Sequence, residues 1–148
     1  MGVLSELVIA LKSEAPLVAH SDNPSRTWQG IYCKGLDQIN LASLWSILEG
    51  DEIQVDSVVA RSERIELASE VTEDGPWVFA IPNELRDVLA ELAAEDTDKI
   101  QAVARTWWGT DELRDWDSSD VAALLQDVID LADGAKLEGK DLLLWVCL

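Results

Sequence analysis

The chain has 148 residues, 48% of them apolar and 27% charged, and its 29 acidic side chains against 11 basic ones give a net charge of −18. That much apolar surface offsets the entropy of ordering a chain of this length, which excludes extensive disorder and fits one domain spanning 1–148. A strongly negative field repels phosphate backbones and anionic lipid, so direct nucleic-acid binding and membrane attachment are disfavoured, and basic proteins or cations are favoured as partners.

The charge is unevenly placed. Residues 1–50 hold five acids and three bases, so nearly all of the excess falls on 51–148. The plainer reading of such a surface is solubility. Two cysteines, Cys33 and Cys147, show no metal-ligand spacing; one disulfide between them is open, but Cys147 sits in an apolar run and reads as a buried free thiol, which fits a reducing cytoplasm. The N-terminus does not read as a signal peptide, because it lacks a basic region and carries Glu6. Gly2 invites an acylation reading, but Glu6 stands where that pattern wants Ser or Thr. No run reaches membrane-spanning length.

In chain order, Leu4 to Leu11 is an apolar run read as a strand, followed by a brief helix from Ser13 to about His20. Ser21 to Ser25 is turn chemistry around Asn23-Pro24. A helix runs from about Gln38 to Glu49, with Leu41, Leu44, Trp45 and Leu48 on one face and Asp37 as its cap. From Ile53 to Ile81 the period shortens: Arg64 to Leu67 alternates in the strand manner, Pro76 to Ile81 favours a pleated surface, and Asp74-Gly75 joins the pair as a hairpin. Three helices follow. The first, capped by Asn83, buries Leu85, Val88, Leu89 and Leu92, while Glu84, Asp87, Glu91 and Glu95 face water. The second starts at Asp96, turns Ile100, Val103, Ala104 and Trp107 inward, and ends at Gly109. The third, capped by Ser118, buries Val121, Leu124, Leu125, Val128 and Leu131. After Gly139, Asp141 to Leu148 reads as a strand buried on both faces. The expected fold is α+β: about four strands in one sheet, the first and last of them paired near its middle, with about five helices.

Enzyme signatures are missing: there is no GxSxG elbow, phosphate-cradling loop, dinucleotide fingerprint or HExxH pair. His20 is the sole histidine, so nucleophilic catalysis needs it to meet Cys33 in space; a lone exposed His beside a turn is the plainer reading. The run from Asp115 begins like a calcium loop, but Asp120 stands where glycine is needed and Gln126 where glutamate is needed. No metal or cofactor is therefore expected. Glu73 and Asp74 form a carboxylate pair that turn chemistry explains.

Seven tryptophans are the other unusual feature. Trp45, Trp77 and Trp145 read as core. Trp107 and Trp108 are helix neighbours about 100° apart, so an inward Trp107 puts Trp108 at the surface. Trp116 lies among Asp111, Glu112, Arg114, Asp115 and Asp117. An aromatic pair ringed by acids has the composition of a hot spot for a basic partner; the plainer use of both rings is to roof a small core. Asp120, Asp127 and Asp130 extend the acidic surface along the last long helix. The candidate binding residues are thus Trp108, Asp115, Trp116, Asp117, Asp120, Asp127 and Asp130. The layout resembles that of small bacterial cytoplasmic proteins, a likeness that implies no activity. The expected function is a non-enzymatic interaction protein for a basic partner, for example an immunity or inhibitor protein. The alternatives are an enzyme working through carboxylates and a decoy that imitates DNA.

Overall fold

The computed structural model describes residues 3–33, 35–51 and 54–148; Gly2 and Ile53, named above, lie outside them. Two strands organise the rest. β1 (Leu4–Ala10) and β5 (Asp141–Cys147) pair antiparallel along their full length, from Leu4 opposite Cys147 to Ala10 opposite Asp141. β4 (Trp77–Ile81) pairs with β5, β3 (Glu66–Glu70) pairs with β4, and β2 (Gly30–Tyr32) flanks β1. The order is β2-β1-β5-β4-β3, antiparallel throughout. The first and last strands stand side by side within the sheet, as their apolar runs suggest.

The period-two alternation of these strands serves two unequal layers. Leu7 and Ile9 of β1 with Leu142, Leu144 and Val146 of β5 face the larger core. Most of it comes from four helices: α2 (Gln38–Leu48), α4 (Asn83–Glu91), α5 (Thr97–Trp108) and α6 (Ser118–Glu138). The opposite set, Val8, Ala10, Val78, Leu143 and Trp145, packs under the short helix α1 (Ala15–Ala19), with Trp28 at its margin. This double cover is why β5 is apolar at every position from Leu142 to Val146. Among the described residues there are five strands and six α-helices, and no helix is long and apolar enough to cross a membrane.

Two elements depart from the sequence reading. β2 is the fifth strand, where about four were expected. It exists because Gly30 lets its backbone come close to β1: a Cβ there would lie 2.5 Å from the Leu7 carbonyl oxygen. The second is α3 (Val55–Arg64), a helix not foreseen where the period shortens, and it takes up Arg64, expected to begin a strand. Val55, Val58 and Val59 are β-branched, yet their i, i+3, i+4 spacing suits a helix, and α3 packs on α2. There the guanidinium groups of Arg61 and Arg64 sit over the Trp45 indole, 5.3 and 4.5 Å from its centroid. Arg61 also pairs with Asp51, and Arg64 with Glu84.

Cap assignments shift by one residue at two helices. Asp37 caps α2 as expected, accepting from the Asn40 amide at 2.9 Å in a reciprocal box with the Asn40 side chain. Asp117, rather than Ser118, caps α6 by accepting from the Ser119 amide at 2.9 Å. Pro82 occupies the cap position of α4, and Asn83 is its first residue. Gly139 closes α6 in the left-handed conformation, φ 67°, where an L side chain would be strained.

Candidate functional site

The seven candidate residues lie at the end of α5, on the loop that follows it, and on α6. Trp107 points inward, is fully buried, and donates from Nε1 to the Asn40 carbonyl at 3.1 Å. Its neighbour Trp108, one helix step on, is therefore turned out and remains 40% exposed. The Trp108 indole donates to the Trp116 carbonyl at 2.7 Å, which ties the end of α5 to the loop before α6. Trp116 itself is half-buried and packs against the main core. The two rings thus differ in burial. Trp116 roofs the core, and Trp108 stays at the surface, lining a shallow hollow with Gln101, Arg105, Ser118, Ser119 and Ala122.

The aspartates are all exposed. Asp115 and Asp117 flank Trp116. Hydrogen bonds from the Ser119 hydroxyl, at 2.6 Å, and from the Ser119 amide hold the Asp117 carboxyl below its ordinary range. Asp120 stands in the first turn of α6, where the helix dipole favours negative charge. Asp127 and Asp130 follow, and Asp130 also accepts from the Gln126 side-chain Nε2 at 3.0 Å. At 1.5 Å rise per residue, Asp120 and Asp130 are separated by about 15 Å along the axis. Asp127 and Asp130 face a second small hollow beside Gln29, Gly30 and Ile31 at the β2 edge of the sheet. Among the described residues, none of the five aspartates enters an ion pair.

Other clusters of titratable groups are different in character. His20 and Cys33 do not meet. His20 is exposed at the end of α1 and bonds through Nδ1 to the Pro16 carbonyl at 2.8 Å. Ala19 beside it packs in the smaller core, whereas Cys33 is buried in the larger one, on the other side of the sheet. Burial pushes the Cys33 thiol up to about 12, and the negative charges of Glu6 and Asp127 add to the shift, so it is not a thiolate near neutral pH. A hollow of about 400 Å³ at one end of the sheet is lined by Lys12, Arg64, Glu66, Glu84 and Asp141. Its charges are matched internally: Lys12 Nζ lies 3.8 Å from Glu66, Arg64 pairs with Glu84, and the Lys12 amide donates to Asp141 at 2.8 Å. Among the described residues, no group of three or more Cys, His, Asp or Glu is disposed to hold a metal ion.

Two features escaped the sequence reading. Glu6 lies on β1 within the alternation that gives the smaller core Val8 and Ala10, and it is only 4% exposed. Its carboxylate accepts the Ser25 amide at 2.9 Å and, with the Asn23 side chain oriented as a donor, a second bond at 2.9 Å. It thereby fastens the Asn23-Pro24 turn over the sheet; the period-two alternation alone placed it inward. The other is a groove of about 400 Å³ between α3 and the loop after α5, formed by Ile39, Val55, Val58 and Val59 with Gly109, Thr110, Asp111 and Glu112. The helical spacing of the three valines was the signal for it.

No protein-family model, curated protein or solved structure matches the chain.

Proposed function

We propose that the chain is a non-enzymatic interaction protein whose acidic, tryptophan-bearing face binds a basic protein, as an immunity or inhibitor protein binds a basic toxin or nuclease. The observation that carries this reading is the run of five exposed aspartates from Asp115 to Asp130, none ion-paired among the described residues, with the half-open Trp108 ring at its head. Carboxylates already paired with Lys or Arg have spent their field locally. Unpaired ones project it outward and speed encounter with a cationic surface. Trp108 adds a flat ring able to stack on an arginine or lysine. The same negative field argues against direct nucleic-acid binding. The two unbridged thiols, Cys33 and Cys147, support a reducing, cytoplasmic setting.

Affinity capture from the source organism at low salt tests the reading. The wild-type chain should retain a basic protein, and a variant carrying Asp120→Asn, Asp127→Asn and Asp130→Asn should retain much less of it. Equal recovery by both chains would refute the proposed face.

A further inference from the structure

The groove beside α3 supplies what an acidic face lacks, an apolar seat. Apart from its valines and Ala60, α3 is polar: Asp56, Arg61, Glu63 and Arg64 stand on it with Ser57 and Ser62. Yet Val55 is 79% and Val59 45% exposed, four residues apart on one face of the helix. Val58 is buried and, with Ile39 of α2, forms the floor. The opposite wall is the loop Gly109–Glu112, which continues directly from Trp108. Asp111 and Glu112 are exposed on that wall, and Asp56 is exposed on α3; among the described residues none of the three is ion-paired. The cations of α3 do not neutralise this rim. Arg61 is engaged by Asp51 and Arg64 by Glu84, and both lie over Trp45.

An open apolar trough with carboxylates on its edges is complementary to an amphipathic helix bearing apolar side chains at i and i+3 or i+4, flanked by lysine or arginine. We infer that the Ile39–Val55–Val58–Val59 groove is the docking seat for one basic amphipathic helix of the partner. The inference rests on the proposed acidic-face reading and names the partner's chemistry at a point contiguous with it. The aspartates of α6 would then steer the partner, and the valines would hold it.

The test uses two fluorescently labelled Lys/Leu peptides of about 18 residues and identical composition. One carries its leucines in a single helical stripe; in the other they are scattered around the helix. Anisotropy at low salt should show the stripe peptide binding the wild-type chain at least roughly tenfold tighter than the scattered one. That preference should vanish in a Val55→Ser/Val59→Ser variant and shrink in Val55→Ser alone, a substitution at a site exposed enough to leave folding intact. Asp120→Asn/Asp127→Asn/Asp130→Asn should weaken both peptides while keeping the preference. Equal binding of the two peptides, or a preference that survives loss of both valines, would overturn the groove while leaving the acidic face standing. Absence of binding by either peptide would overturn both. Sedimentation showing a dimer that Val55→Ser/Val59→Ser converts to monomer would assign the groove to a second copy of this chain and overturn the inference.

Discussion

Individual side chains show how sharply burial and hydrogen bonding divide groups of one type. Cys33 is enclosed and its thiol is raised to about 12, whereas Cys147 at the end of β5 is half-exposed. Reaction with a thiol reagent at pH 8 should therefore modify Cys147 alone in the folded chain, and Cys33 only after denaturation; rapid modification of both in the native state would contradict the burial. Glu14 is the mirror case. Hydrogen bonds from the Leu11 amide, at 2.9 Å, and from the Trp28 indole, at 3.1 Å, hold its carboxyl below the ordinary range, with Lys140 adding a smaller pull. A depressed folded-state value means the stabilisation is present above the unfolded value of about 4.3 and is lost as pH falls through the lower folded one. Glu14→Gln should accordingly lower the denaturation midpoint at pH 7, and the gap from wild type should close in acid. A gap that widens on acidification would reverse the sign of the linkage.

Between elements, the join of α2 and α3 is the most specific. Arg61 and Arg64 stack on one buried indole while each is held by a carboxylate from outside α3. Arg61→Ala with Arg64→Ala should cost about 1–2 kcal/mol in urea denaturation, a value that allows for the exposure of Arg64. A change below the error of the method would mean the stack is ornamental. This join also shows what the amino-acid pattern could and could not convey. Helices α2, α4, α5 and α6 were legible because Leu41, Leu44 and Trp45, or Val121, Leu124, Leu125 and Val128, recur at helical spacing beside a cap. β1, β4 and β5 were legible as short apolar runs between turns. α3 was not, because its valines and the alternating Arg64 to Leu67 favour strand locally, and the deciding contact with Trp45 is distant in sequence. β2 is three residues long and depends on what glycine omits at position 30, a tertiary fact.

At the scale of the whole molecule, charge and fold act together. The fold gathers the apolar sequence into two layers around β1 and β5 and leaves α6 with its aspartates along the outside. Five exposed aspartates of 51–148 thus lie on α6 and the loop before it, next in the chain to Trp108 at the end of α5. The aspartates were readable from spacing. The groove was not, since it joins α2, α3 and the loop after α5 through a helix that its β-branched valines conceal. Charge-steered binding is screened by salt, because the Debye length falls from about 30 Å at 0.01 M to about 8 Å at 0.15 M. The affinity of the chain for its captured basic partner, measured by calorimetry across that range, is the most direct test of the acidic face. The wild-type chain should lose affinity steeply with salt, and the Asp120→Asn/Asp127→Asn/Asp130→Asn variant should bind more weakly with a shallower slope. An affinity independent of salt, and equal in the two chains, would contradict the proposed face.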